Sequence, residues 1–404
     1  MISHFLIYFK FFLVFGGDYL KISAVVCEYN PFHNGHRYLN ETAKQNCDAL
    51  ISVMSSSFTQ RGDVAICSKY RRAEAALRCG ADLVVEFPAV YAVSCAEIFA
   101  KSAAAIIRAM NCVDSIVFGS ECGDVRLIEK AAEYSNTEKL QGLVKEKMKA
   151  GLYYPKALSL AAQEILGERA SKLFSSPNDI LAIEYCKALE GSGIEPAAVK
   201  RQGAAHDSKL VGEGFASASQ IRRIIRDGGD VSPFIPFDDM FENPAFFENI
   251  DKAVLYRLRT MTPEQIACLP DVSEGLENRI YSAARTETSA QEAMEKIKTK
   301  RYTMARIRRI FINALLGFTK EIQQIPVPYI RILGFTQKGA EIMSVLKKKA
   351  DLPLVVNPAG ALGRLSESGV MILKAEIRAS DIFALAQNIP QPCGADFFEQ
   401  IIKL

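Results

Sequence analysis

Lys21-Ile22-Ser23-Ala24-Val25-Val26-Cys27-Glu28-Tyr29-Asn30-Pro31-Phe32-His33-Asn34-Gly35-His36 is the stretch that decides the fold. Ile22 to Cys27 is short, β-branched and almost uncharged, the pattern of a strand covered on both faces of a parallel sheet. Pro31 has no N–H for a central ladder, so the strand ends before it. Asn34-Gly35 marks a loop-to-helix junction, and His36 to Gln45 mixes polar and apolar residues as a helix does. A helix starting near Asn34 turns its unpaired amides to the carboxyl end of the strand, where α/β folds bind phosphorylated ligands.

His33 and His36 then project over the same phosphate. Imidazoles there donate hydrogen bonds to phosphoryl oxygens and stabilise the charge that builds as a nucleotide phosphate is attacked and pyrophosphate leaves. The plainer alternative is a His-x-x-His pair that caps a helix or binds a structural metal. No cysteine or carboxylate cluster at metal-ligand spacing accompanies it.

Outward from this unit, strand and helix patterns alternate as far as Arg226. Ala49 to Met54 reads as a strand, Ser55 to Ser68 as a polar loop, and Lys69 to Cys79 as a helix ended by Gly80. Asp82 to Phe87 is a strand, Cys95 to Met110 a helix and Ser115 to Phe118 a strand. Val125 to about Lys187 is a mainly helical insert, and Ala197 to Lys200 is a returning strand. That rhythm predicts an α/β, Rossmann-like, doubly wound parallel sheet. Gly228-Gly229-Asp230 and the Pro-rich stretch 233–244 read as a linker, after which the strand signal fades. Helical patterns follow over Ile250–Met261, Pro263–Cys268, Leu276–Ala284, Ala290–Lys298 and Met304–Leu316, with a further helix from near Gly339. The expected organisation is an apolar extension over 1–20, a catalytic domain over 21–230 and a mainly α-helical domain over 231–404.

Composition fits such an enzyme. The 404 residues include 49% hydrophobic ones, enough for large cores, and the net charge of +3 is too small for overall basicity to announce nucleic-acid binding. The ten cysteines show no C-x-x-C spacing and read as reduced, buried residues of a cytosolic protein. Met1 to Leu20 is apolar, but Lys10 interrupts it, and it lacks a basic n-region and a small-residue cleavage site. An upstream start assignment is expected there rather than a membrane anchor.

His33-Asn34-Gly35-His36 with Asn30-Pro31-Phe32 ahead of it resembles the signature of the nucleotidyltransferase-like superfamily that class I aminoacyl-tRNA synthetases share. The longer Glu28-to-His36 string is similar to that of the bacterial tRNA(Met) cytidine acetate ligases. So are Phe58-Thr59-Gln60-Arg61-Gly62, Ser68-Lys69-Tyr70, Asp82 to Pro88, Phe118-Gly119-Ser120-Glu121, Ser176-Pro177-Asn178-Asp179, Lys300-Arg301-Tyr302-Thr303 and Ile332-Leu333-Gly334-Phe335. The resemblance runs over roughly residues 21 to 400.

That resemblance implies ATP contacts along Val26, Cys27, Glu28, Tyr29, Asn30, Pro31, Phe32, His33, Asn34, Gly35 and His36. Gly119 and Asn178 join them: a glycine after a strand lets a base or ribose approach and an asparagine starting a helix can cap it or bind a ligand, against the alternative of ordinary turns, and the match to the family favours the nucleotide. Ser217-Ala218-Ser219-Gln220-Ile221-Arg222 places serines at a helix start and an arginine one turn on, an anion pocket. It resembles the superfamily's second signature, I-S-S-T-x-I-R, with Ala216 and Ala218 as departures, so Ser219 and Arg222 are the expected catalytic pair, against the alternative of a capped surface helix. Arg201 is a further expected ATP contact.

In the C-terminal half, Lys298, Lys300, Arg301, Arg306, Arg308 and Arg309 fall close together around Tyr302 without interleaved acids. Lys300, Arg301, Arg306, Arg308 and Arg309 are the expected RNA-backbone contacts, against the alternative of a solvated helix face. Lys347-Lys348-Lys349 is a weaker second run.

The resemblance implies an ATP-dependent ligase in which acetate attacks the α-phosphate of ATP. The acetyl group then passes to N4 of the wobble cytidine of elongator tRNA(Met), with Mg²⁺ accompanying ATP. His33, His36, Ser219 and Arg222 carry the first step. The competing readings are a small-molecule adenylyltransferase of cofactor biosynthesis and an inactive nucleotide-binding module. Asp63, Glu86 and Glu121 are acids at strand ends or loops, with no role as base or metal ligand assigned.

Overall fold

The sheet grows outward from β1 (Ile22–Cys27), and the computed structural model describes residues 20–201, 214–237, 239–273 and 275–404 around it. The expectation for Met1 to Leu20 lies, Leu20 apart, outside the described residues. After β1 come α1 (Asn34–Lys44), β2 (Ala49–Ser55), α2 (Lys69–Arg78), β3 (Leu83–Phe87), α3 (Ala96–Ala109) and β4 (Ser115–Ser120). Four helices between 125 and 173 and then α4 (Pro177–Ala188) make up the helical insert, and β5 (Glu195–Lys200) and α5 (Ala218–Arg226) complete this half. The remaining chain adds short helices between 251 and 297, α6 (Met304–Leu316), β6 (Ile330–Phe335), β7 (Leu354–Val355), α7 (Glu367–Ala386), α8 (Ala395–Phe398) and β8 (Ile402–Lys403).

The strand order is β5-β4-β1-β2-β3-β6-β7, with β8 also on β6. β5 through β3 are all parallel, in register Ile22 with Ala49 and Ser23 with Ser115. Winding reverses at β1, with β2 on one side and β4 on the other. The crevice beyond the carboxyl ends of β1 and β4 is therefore the topological switch point, where open α/β sheets take their ligands. Ala24, Val25, Leu50, Ile51, Leu83 and Val84 are all fully buried, as helices on both faces require.

Helix boundaries follow their caps. Ser68 accepts from Arg71 N–H to start α2, and Thr303 accepts from Arg306 N–H to start α6. Gly317, with φ +69°, ends α6 in a left-handed turn that a side chain resists.

The expected strands and helices of the first half are present within a few residues of their predicted ends. After residue 230 the strand signal does not stop. β6 lies antiparallel beside β3 and carries β7 and β8 on its other edge, so the sheet crosses position 230. β6 is hard to read because Arg331 is 2% exposed inside it. Its guanidinium meets Glu86 Oε2 at 3.0 Å and Asp396 Oδ1 at 2.6 Å, and Lys69 Nζ joins the same two acids at 2.5 and 2.7 Å. A buried charge thus occupies a strand position that alone would have spoken against one. All ten cysteines are free; Cys268 and Cys393 are exposed rather than buried. Among the described residues no helix is long and apolar enough to cross a membrane.

Candidate active site

The chain leaves β1 through a pinned turn. Tyr29 has φ +49°, a conformation that costs a non-glycine residue roughly 1–2 kcal/mol. Its fully buried ring and the bonds of its hydroxyl to Asn40 Oδ1 (3.2 Å) and Ser52 Oγ (3.1 Å) hold it there. Asn30 ties the turn to the facing loop: its Oδ1 accepts from Ile66 N–H at 2.7 Å, and its Nδ2 donates to Val64 O at 3.3 Å. Tyr29 and Phe32 point into the protein interior and form the floor beneath His36, with ring centroids 5.0 and 5.7 Å from it. Val26 and Cys27 lie inside β1, and the Cys27 thiol is buried.

His33 is the N-cap of α1, in extended conformation. Its Nδ1 accepts from Gly35 N–H at 3.0 Å, while His36 Nδ1 accepts from His33 N–H at 3.3 Å, a reciprocal capping box made of two histidines. The rings stack with centroids 3.8 Å apart. Capping and phosphate binding, set against each other on sequence, are compatible. An imidazole whose Nδ1 accepts must carry its proton on Nε2, so each ring keeps an Nε2–H donor. Burial pushes the His33 imidazole down to about 3, helped by Arg201 and Arg222. Burial, then His33, then Arg201 hold His36 well below the ordinary imidazole value. Both rings are neutral donors at neutral pH. Gly35 has no room for a side chain, since a Cβ would sit 2.9 Å from His33 Cε1.

α5 is bracketed against α1 by Asn34. Its Nδ2 donates to Gly214 O at 2.9 Å and Pro233 O at 3.0 Å, and its N–H donates to Phe234 O at 2.9 Å. Those carbonyls lie before and after α5, so one asparagine fixes both ends of the second signature. Ser217 caps α5, and its Oγ is 3.1 Å from the Oγ of the exposed Ser219. Arg222 Nη1 donates to Asn30 O at 2.7 Å, and its Nη2 is 3.6 Å from Asp63 Oδ2. The two signatures, 192 positions apart between Asn30 and Arg222, therefore meet directly.

On the β4 side, Arg201 follows β5, donates its N–H to Ser120 O at 3.0 Å and lies beside Gly119. A Cβ on Gly119 would meet Arg201 Cγ at an ordinary 3.6 Å, so the fold itself does not demand glycine there. Asn178 does not cap α4; its Nδ2 donates to Glu121 Oε1 at 2.6 Å, and Glu121 Oε2 accepts from Asp179 N–H at 3.1 Å. The Phe118–Glu121 and Ser176–Asp179 turns are thereby locked together.

Three side chains support the crevice from below and from the facing loop: Arg72, which has no sequence signal of its own, Glu28, expected as an ATP contact, and Asp63, to which the sequence assigns no role. Arg72 is fully buried and donates to Cys67 O (3.2 Å), Glu28 O (2.7 Å), Ser55 O (2.9 Å) and Ser56 O, cross-linking the carboxyl ends of β1 and β2. Glu28 Oε1 accepts from Gln60 N–H at 2.7 Å and so holds the 58–64 hairpin over the crevice. Burial raises the Glu28 carboxyl above its ordinary value. Asp63, on the same hairpin, lies between Arg222 and Arg308.

The basic run is split. Arg306 donates to Asp271 O and Ser273 Oγ at 2.9 and 2.8 Å, and Arg309, mostly buried, pairs with Asp271 Oδ2 at 2.5 Å. Lys300 and Arg301 are exposed, with the Arg301 guanidinium 5.8 Å from the Tyr302 ring. Arg308 instead faces the hairpin, 3.9 Å from Asp63 Oδ2. Glu86 is committed to the Lys69 and Arg331 network away from the crevice.

A neutral histidine pair, two arginines and a helix start around a switch point define a nucleotide-activating site of the nucleotidyltransferase type. Residues 20–395 match the model of the HIGH Nucleotidyl Transferase family. A tRNA(Met) cytidine acetate ligase of Thermoanaerobacter sp. (strain X514) is 40% identical over 95% of this chain and all of that protein, and one of Acetivibrio thermocellus is 37% identical with the same coverage. Crystal structures of Thermotoga maritima TmcAL, apo and bound with alpha-thio ATP, superpose with TM-scores of 0.89 and 0.87. Each is 33% identical and covers 95% of this chain and all of that one. The chain belongs to the tRNA(Met) cytidine acetate ligase family of HIGH nucleotidyl transferases.

Proposed function

We propose that this protein is a cytoplasmic ATP-dependent ligase that joins acetate to N4 of the wobble cytidine of elongator tRNA(Met). A carboxylate oxygen of acetate attacks the α-phosphorus of ATP. The bond to the α,β-bridging oxygen breaks, and pyrophosphate leaves with that oxygen and its electrons. The cytidine amine then attacks the acetyl carbon, AMP leaves and one N4 proton is lost to solvent.

The observation that carries this reading is the stacked pair His33 and His36. Their Nδ1 atoms are consumed by the cap, and their Nε2–H groups remain for phosphoryl oxygens. Neutral donors suit the step, because they strengthen as charge builds on the leaving group without holding the free product as a fixed cation would. Arg222 and Arg201 supply fixed charge, and Ser219 with the start of α5 supplies hydroxyl and amide donors.

Mg²⁺ fits this site as an ion carried on the polyphosphate. The acids around the crevice are already engaged, Glu28 with Gln60 N–H, Asp63 with arginines and Glu121 with Asn178 and Asp179. Among the described residues no group of three acids, histidines or cysteines is gathered to hold a metal.

Purified protein incubated with labelled ATP, acetate and tRNA(Met) is expected to yield pyrophosphate and N4-acetylcytidine in step. Pyrophosphate without acetylated nucleoside would remove the tRNA assignment; neither product would leave a nucleotide-binding module.

A further inference from the structure

The sequence groups Arg308 with its neighbours as an RNA-backbone contact, yet its surroundings differ from theirs. Arg306 and Arg309, three residues apart, share one face of α6 and both engage the segment around Asp271. Arg308 projects from another face toward the hairpin of residues 58–64. That hairpin is seated on α6 with no space to spare: Gly62 has φ +73°, and a Cβ on it would lie 2.4 Å from Arg309 N and 2.5 Å from Arg308 C. The contact fixes where α6 stands relative to the crevice.

At the hairpin's end a single oxygen, Asp63 Oδ2, is 3.6 Å from Arg222 Nη2 and 3.9 Å from Arg308 Nη1. Both separations are longer than a charge-assisted hydrogen bond, so neither guanidinium is saturated. Arg308 Nε is buried and has no acceptor among the described residues, while the side chain as a whole is 33% exposed. One carboxylate between two guanidiniums leaves a net positive charge beside the residue that the superfamily signature places on ATP. Two cations sharing one acid can both turn to an incoming anion, with Asp63 keeping them from repelling each other in its absence.

We propose that Arg308 is a substrate-binding cation of the adenylation site, acting with Arg222 on an anion of the first half-reaction, and that Asp63 is the residue that positions the two. This rests on the ligase reading above. The anion is a phosphoryl or carboxylate group, supplied by ATP or by acetate. A helix from the C-terminal half thus completes the site built by the N-terminal half.

The test is acetate-dependent ATP–pyrophosphate exchange by the full chain without tRNA, for wild type, Arg308→Lys, Arg308→Gln and Asp63→Asn. Loss of one charge-assisted contact predicts a fall in exchange kcat/KM of roughly 10- to 100-fold for Arg308→Gln. Arg308→Lys, which keeps the charge without the planar fork, retains an intermediate rate. A rise confined to the KM for ATP assigns the phosphoryl group, and one confined to the KM for acetate assigns the carboxylate. Asp63→Asn should lower exchange and shift its KM values without abolishing it. If the Arg308 variants exchange at the wild-type rate and only the KM for tRNA rises in acetylcytidine formation, Arg308 is an RNA contact and the proposal is wrong. Wild type that exchanges nothing with acetate, with tRNA(Met) or without it, overturns the ligase reading itself, and is told apart because no variant is needed to see it.

Discussion

Replacing His33 by serine and by alanine separates the two functions that one imidazole carries. Its Nδ1 caps α1 at 3.0 Å from Gly35 N, and its Nε2–H faces the crevice. Serine restores a capping oxygen at the N-cap but supplies nothing at the distance of Nε2; alanine supplies neither. Both remove the ring stacked on His36, so that loss cancels between them. The two variants should therefore differ in unfolding free energy by about 1 kcal/mol, the worth of an N-cap side chain, with serine the more stable. In acetate-dependent ATP–pyrophosphate exchange they should look alike, each down roughly 10²- to 10³-fold, as when one preorganised donor to a developing oxyanion is deleted. Urea unfolding followed by circular dichroism reads the first quantity, and exchange kinetics the second. A serine variant within threefold of wild-type exchange would refute the phosphate role. Equal stability of the two variants would refute the capping role.

The pH dependence of stability should have two limbs of opposite sign. The His33 imidazole is held at about 3 against ~6.5 when unfolded, so the unfolded chain gains a proton first and stability falls as pH drops below about 6.5; His33→Ser should flatten that limb. Glu376, raised to about 7 by burial and by Glu86, keeps its proton in the fold while the unfolded chain releases it from about 4.3, so stability falls as pH rises across that window. Glu376→Gln should flatten it, and unchanged slopes by urea unfolding would contradict either assignment. Arg331→Met leaves Glu86 and Asp396 short of a buried cation and should destabilise by about 3–5 kcal/mol in the same measurement. Gly119→Ala meets only Arg201 Cγ at 3.6 Å and should change stability by less than about 0.5 kcal/mol while weakening ATP binding by calorimetry; unaltered ATP affinity would show that the ligand does not approach there.

Local chemistry in this chain was legible, and non-local chemistry was not. The β1 strand, the turn at Pro31, the helix from Asn34 and the His33–His36 pair all follow from neighbouring residues, because strand pattern, proline and capping act within a few positions. The winding order followed too, since alternating strands and helices allow few sheets. Asn34 reads as a junction residue, and nothing near it says that its amide brackets the carbonyls of Gly214 and Pro233. Arg72 reads as one charge on an amphipathic helix, although it is fully buried beneath the site. The basic run does not face one way. Its acidic counterpart, Asp271, lies 38 positions before Arg309, outside any local window, and takes up the face that Arg306 and Arg309 share.

The buried charge network explains why the helical half cannot be a loosely tethered RNA-binding module. Lys69 comes from α2, Glu86 from β3, Arg331 from β6, Glu376 from α7 and Asp396 from α8, so two elements of the first half and three of the second share one dry cluster. Two cations face three acids, and burial with the neighbouring Glu86 raises the Glu376 carboxyl to about 7, so the proton it holds below that pH balances the cluster. A charge-balanced cluster tolerates burial better than isolated charges do, even with Glu376 Oε1 and Asp396 Oδ2 left without hydrogen-bond partners among the described residues, whereas separating the halves would strand charges on both surfaces. β6 then continues the sheet past β3, and α6, which lies between α5 and β6 in the chain, packs against the 58–64 hairpin at Gly62. The charge pairing that hides β6 from a reading of the sequence therefore anchors the second half on the first, and the contact of α6 with the hairpin holds Arg308 beside Asp63 and Arg222.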